Sequence, residues 1–329
     1  PEEITFMEPQ AGGACRAGNI YNLLQRVLYR MVEQGQLEYA QIPVISLNLM
    51  GEEKHTGFRI TPSLLSGGIA AASYGDLIMC LYQQVKPYEQ NPGETDRIRS
   101  QVEKKLCESI RRHRNGRHTR EKNYRYACEV FSNVPVKPGK KKRVGITGEI
   151  YMKYSKLGND DIESFLLRQG MEPYSGGFIN YCLYLVDTER YKAEKYQRNP
   201  IMAKACAFVL HRLCEAQKHL LTVIGETDRF QTDLPFPELK EKVQGILAEG
   251  CNTGDGWLIA AEVIQYVEKG CGSVLILHPF GCLVSHVCER GILQRLHARF
   301  PDVSIQTIEY DYDQSKTLRE SRILLAISS

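Results

Sequence analysis

Residues 272–308, GSVLILHPFGCLVSHVCERGILQRLHARFPDVSIQTI, decide the fold. The apolar run Gly272–Leu277 predicts a short strand, which the Pro/Gly loop His278–Cys282 ends. Apolar residues then return at helical spacing over Val284–Arg299, and Val303–Ile308 reads as a second strand. Two strands joined through a helix by a connection this long form a parallel pair with a right-handed crossover. The start of the chain repeats the pattern. Ile4–Met7 is extended, Glu8–Cys15 is a Gly-rich break, and Ile20, Leu23, Leu24, Val27, Leu28 and Met31 recur at helical spacing before a strand at Pro43–Leu49. In both places the loop closes on a cysteine at the start of the helix.

Residues 64–130 read as largely helical, divided at Pro87 and at Asn91-Pro-Gly93. The stretch Val134–Lys142, with two prolines, a glycine and four lysines, is a poor core element and sets the expected domain boundary. Beyond it come a strand at Arg143–Thr147, a helix at Asp160–Gln169 with Asn159 as its cap, and a helical region at about 188–247 broken at Asp233–Pro237. Helices at Trp257–Lys269 and Ser315–Ala326 complete the pattern. The expected architecture is α/β, with two Rossmann/flavodoxin-like lobes built on parallel sheets with helical insertions. Residues 1–142 form the first lobe with a helical extension, and residues 143–329 form the second, with its insertion near 188–247.

Composition narrows the partners. The 329 residues carry 42 basic and 39 acidic side chains, a net charge of +3, with 43% hydrophobic and 25% charged residues. That is ordinary globular composition, and it makes no electrostatic case for nucleic acid or a membrane surface. No uninterrupted apolar run approaches the ~20 residues that cross a bilayer. A chain opening on Pro1 reads as a segment of a longer protein. Eleven cysteines, an odd number scattered singly, fit a reducing, cytoplasmic setting better than a secreted disulfide scaffold.

Cys15 and Cys282 stand apart from the other nine. Each follows a predicted parallel strand and opens a helix, at the sheet edge where α/β proteins collect ligands and where the helix dipole favours a thiolate. Gly12, Gly13 and Gly281 beside them let a bulky ligand approach the backbone. A thiolate pair so placed suits an iron–sulfur cluster, and the alternative is two small residues in tight turns. Cys80, Cys107, Cys128, Cys206, Cys214 and Cys288 fall in helical patterns and read as core packing, while Cys251 and Cys271 sit in loops beside glycine as reserve ligand candidates, Cys251 the first of them. There is no Cys-x-x-Cys, so zinc-ribbon and bacterial ferredoxin patterns are absent. Asn252-Thr-Gly-Asp-Gly-Trp257 reads as a helix start capped by Asp255, or as an anion cradle. Gly145-Ile-Thr-Gly148 lacks a nucleotide fingerprint, and no phosphate-binding loop motif occurs elsewhere, so no nucleotide site is expected. His278 and His286 flank Cys282 and could tune a site there, though a core or surface role is the commoner one for a histidine. The basic stretch Arg111–Lys122 reads as a solvated helix face or docking surface.

Taken together, several ordered motifs resemble one family. They are Gly12-Gly-Ala-Cys-Arg-Ala17, Gln41-Ile-Pro-Val-Ile-Ser-Leu47, Tyr74-Gly-Asp-Leu77, Lys86-Pro-Tyr-Glu89, Gly145-Ile-Thr-Gly-Glu-Ile150, Asn252–Trp257, His278-Pro-Phe-Gly-Cys-Leu283 with His286, and Ile308-Glu-Tyr-Asp311. This series resembles the cysteine region of the large CoA-substrate-specific enzyme activases, relatives of the 2-hydroxyacyl-CoA dehydratases. The resemblance implies a [4Fe–4S] or related cluster with Cys15 and Cys282 as ligands. It also implies an ATP-dependent activase domain or subunit as electron donor, and dehydratase- or reductase-type chemistry on a CoA thioester. The chain departs from the family where Leu283-Val-Ser replaces the usual Pro and Asn before His286, and the family's Cys-Tyr-Pro-Ala segment is missing. The activase's own phosphate motifs are missing too, so the resemblance points away from the ATPase itself. Two thiolates are half of a cubane's usual four, so the resemblance further implies ligands from elsewhere, Cys251 or a homodimer sharing the cluster among them. The competing expectation is a non-catalytic, dehydratase-like scaffold that docks the ATPase or another subunit.

Overall fold

The computed structural model describes residues 6–9, 15–36, 44–47, 61–196 and 199–328. The chain divides into two units, residues 1–60 with Gly281–Leu283, and Thr61–Phe280 with Val284–Ser329. In the first unit β1 (Phe6–Pro9) pairs in parallel with β2 (Val44–Leu47), Phe6 opposite Val44. A 3₁₀ turn (Arg16–Asn19) and helix α1 (Ile20–Glu33) lie between them in sequence, as the apolar spacing predicts. Leu28 of α1 is buried, whereas Ile20, Leu23, Val27 and Tyr29 are exposed.

The second unit opens with α2 (Pro62–Val85), α3 (Glu94–Arg111) and α4 (Arg117–Ser132). Thr61 caps α2 by accepting the Leu64 N–H, and Pro62 takes the first-turn position where a missing donor costs nothing. Then follow β3 (Arg143–Gly148), α5 (Ile150–Tyr154), α6 (Ile162–Arg168), β4 (Glu172–Tyr174), α7 (Phe178–Lys195), α8 (Pro200–Gly225) and α9 (Phe236–Glu241). The unit ends with α10 (Gly256–Glu268), β5 (Cys271–Pro279), a π-helical turn (Ser285–Glu289), α11 (Arg290–Arg299), β6 (Ser304–Tyr310) and α12 (Lys316–Ser328). The four strands form one all-parallel sheet in the order β4-β3-β5-β6. The α/β class is therefore as expected.

The two faces of this sheet are separated by the period of two. Val274 and Ile276 of β5 and Ile305 of β6 join a large core with α2, α4, α7 and α10, while Leu275, Leu277, Val144, Ile146 and Ile308 join a smaller one with α6 and α12. Burial on both faces is why β5 is a continuous apolar run rather than an alternating one. Helix α10 is apolar almost all round because it is enclosed, with every residue from Gly256 to Tyr266 buried. Its buried Glu262 and Gln265 are satisfied. Glu262 accepts from Thr147 and Lys153, and Gln265 bonds the Leu234 N–H and Asp233.

Three expectations need correction, and one strand was not foreseen. The helices α2–α4 share one core with the four-stranded sheet, so the packing boundary falls at residue 60 and not at 142. The helical insertion starts at Phe178 instead of about 188. Strand β4 escapes a sequence reading because it is three residues long, contains Pro173 and sits at the sheet edge, where a missing donor is tolerated. Finally, the helix at Ser63–Tyr88 is long and apolar enough, by length and composition alone, to cross a membrane. Its apolar residues Ala70, Tyr74, Leu77, Ile78, Leu81 and Val85 lie in the core of the second unit.

Candidate functional site

Strand order places the site. From β3 the chain moves outward to β4, whereas from β5 it moves the other way to β6. Neighbouring strands whose connections part in this way leave a crevice beyond their carboxyl ends, the usual ligand position in open α/β sheets. Three of the motifs that carry the resemblance converge there. The Glu149 N–H, just past β3, donates to the Leu277 carbonyl of β5 at 2.8 Å. Gly148 makes that turn possible, having φ +132° and no room for a side chain against the Leu277 backbone. The Asn252–Trp257 loop reaches the same edge, since a methyl group on Gly254 would come within 2.7 Å of Val284.

Acidic side chains collect behind these turns. Glu149 caps α5 by accepting the Met152 N–H, and burial raises its pKa. Asp255 is buried at the start of α10 without the capping bond expected of it. Burial drives its pKa well up, reinforced by Glu149, Glu289 and Glu262. Glu289, on the π-helical turn, is fully buried with no hydrogen-bond partner of normal geometry on either carboxyl oxygen. Burial pushes it up to about 8, against a smaller lowering by Ser285. A carboxyl shifted as far as that of Glu289 stays largely protonated near neutral pH and can donate.

At the end of β5 lies a second group. His278 stands opposite Glu309 of β6 in the strand register, with Nδ1 4.0 Å from Glu309 Oε2. The His286 Nε2 is 3.6 Å from the same oxygen, and Arg290 donates to it at 3.1 Å. His278 is 0% exposed, and burial lowers its pKa against smaller opposing effects of the Pro279 backbone and Glu309.

The sequence-derived residues fare unequally. Cys15 is exposed, and its carbonyl accepts the Gly18 N–H in the turn that leads into α1. Gly12 and Gly13 lie outside the described residues. Gly281 makes a left-handed turn (φ +75°) after β5, and Cys282 follows it half-buried. Their segment Gly281–Leu283 groups with residues 1–60, the part of the chain that carries Cys15. Cys251 is half-buried in a loop whose carbonyl holds the Trp257 N–H. Among the described residues no group of three thiolates forms, and the single close cluster of three metal-ligating side chains is His278, His286 and Glu309. Cys15 and Cys282 are two donors where a cubane takes four, so they do not by themselves make up a cubane's ligand set.

The remaining cysteines divide. Burial pushes Cys128, Cys182 and Cys214 up to about 11 and Cys271 to about 12, which makes them inert packing thiols. Cys271 is the buried first residue of β5, not a loop position, and Cys107 is exposed because it falls one residue past the buried Leu106. Two motifs of the resemblance are structural stitches. Asp76 accepts the Phe178 and Ile179 N–H groups and so caps α7 from α2, and Tyr88 donates to Glu172 of β4. A cavity of about 20 Å³ beside Asp76, Cys80, Tyr174 and Asp233 has room for one water and no larger ligand. Comparison with protein-family models, curated proteins and solved structures returned no match.

Proposed function

We propose that the chain is a cytoplasmic redox module of the dehydratase-activase type, contributing Cys15 and Cys282 to an iron–sulfur cluster completed by a second copy or another segment. In this reading it accepts electrons from an ATP-dependent partner for reductive chemistry on a small acyl substrate. The observation that carries it is the convergence of Gly145–Ile150, Asn252–Trp257 and His278–His286 on the β3/β5 edge. Those segments are far apart in sequence, and they are the ones through which the chain resembles the family. The grouping of Gly281–Leu283 with residues 1–60 supports pairing of the two cysteines. The test is anaerobic reconstitution with iron and sulfide, followed by gel filtration with light scattering and metal analysis. Wild type is expected to carry iron and sulfide as an oligomer, and Cys15→Ser or Cys282→Ser to lose them. Full iron retention by the double variant ends the reading.

A scaffold role is favoured by one separate observation. Arg114, Arg117 and Lys122 expose their side chains on the α3–α4 corner and make no ion pair among the described residues. Arg111 and Arg112 there share Glu108. Such a surface suits an acidic partner protein. A pull-down with the activase domain that survives removal of both cysteines but not of these three charges would select this reading over the first.

A further inference from the structure

We propose that His278, His286 and Glu309 form a mononuclear site for a divalent transition-metal cation. This inference is independent of the cysteine reading. One ligand atom from each residue lies within 4.8 Å of the others, a spread that a metal can close with small side-chain rotations. Two of the three are fixed by the sheet, since His278 and Glu309 are register partners at the carboxyl ends of β5 and β6. The third, His286, comes from the turn that follows, its ring 5.4 Å from that of His278 and nearly perpendicular to it. Two imidazoles and one carboxylate suit zinc, iron(II) or cobalt(II), with coordination positions left for water or a ligand.

The second observation concerns His278 alone. It is 0% exposed, and neither ring nitrogen has a hydrogen-bond partner of normal geometry. Buried polar groups in folded proteins are as a rule paired, so an imidazole left unpaired beside a carboxylate and a second imidazole is what a missing cation would explain. The competing account is that Glu309 serves only as the partner of Arg290. That guanidinium is 49% exposed, and half-exposed ion pairs contribute little. It also leaves His278 unexplained. Arg290 is then a competing cation that swings out when metal enters.

The experiment titrates the full chain, stripped with chelator, with cobalt(II) followed by visible absorbance and with zinc(II) in competition. Wild type is expected to bind one equivalent with weak d–d bands and no intense sulfur-to-metal band. His286→Ala, only 31% exposed but outside the core, and Glu309→Gln should each weaken binding at least ~10-fold with unchanged circular dichroism. Arg290→Gln should keep the stoichiometry and tighten binding, and Cys282→Ser should change nothing. Failure of wild type to bind, wild-type affinity in both His286→Ala and Glu309→Gln, or loss of binding in Cys282→Ser would each overturn the assignment. Cobalt(II) binding that survives in the Cys15→Ser/Cys282→Ser double variant would leave this inference standing whatever the outcome of the iron–sulfur test.

Discussion

Two sets of buried charge lie within a few residues of each other at the top of the sheet, and they are built on opposite terms. Lys153 and Glu262 are each 3% exposed and fully satisfied, with Nζ at 2.8 and 2.9 Å from the two carboxyl oxygens and the Thr147 hydroxyl donating as well. Asp255 and Glu289 are buried and Glu149 is half-buried beside them; Glu149 raises the pKa of both others, and none of the three makes an ion pair among the described residues. A closed pair fixes how α5 meets α10, whereas a buried acid without a partner of normal geometry, as Glu289 is, carries a standing cost that stability alone does not explain. The contrast separates scaffold from site.

The largest effect should come from opening the closed pair. Lys153→Ala leaves Glu262 charged and alone in the core, and chemical denaturation should show a loss of about 3–5 kcal/mol. A loss under ~1 kcal/mol would mean that water reaches the pair and that the contrast is false. Glu289→Gln tests the other set. The wild-type carboxyl binds its proton more tightly folded than unfolded, so its contribution is complete below 4.5 and fades as pH rises through about 8. Glutamine removes that dependence. Stability of the variant should therefore gain on wild type by up to about 1.4 kcal/mol per pH unit across this window, and parallel pH profiles would refute the burial argument. The smallest effect should be at Arg99–Glu103, an exposed helical pair at 2.7 Å, where Arg99→Ala should cost no more than ~0.5 kcal/mol at low salt.

Much of the fold was legible because β5 is an apolar run closed by Pro and Gly, and because the other strands but one are short apolar stretches joined through helical spacing. The exception, β4, is too short and too proline-bound to show a period. The domain boundary was illegible for a different reason. Val134–Lys142 has the composition of a linker, but a linker joins whatever its flanks pack against, and the helices before it pack into the core of the sheet after it. At the site, the placement of Gly281 and Cys282 just beyond a strand could be read from the residues. The partnership of His278 with Glu309 could not, since it depends on the register of two strands whose aligned residues stand 31 apart in sequence. Glu289 gave no signal at all. An acid on a helix is ordinarily a surface residue, and only the turn it stands on carries it inside.

That turn has a consequence of its own. The π-helical winding at Ser285–Glu289 holds one residue more than an ordinary turn would. Deleting a single amino acid there would let the helix rewind to its normal pitch and rotate what precedes it by about 100°. His286 and Glu289 would then be re-aimed together, although neither had been mutated. At this edge of the molecule, spacing along the chain is as much a functional trait as the identity of any side chain.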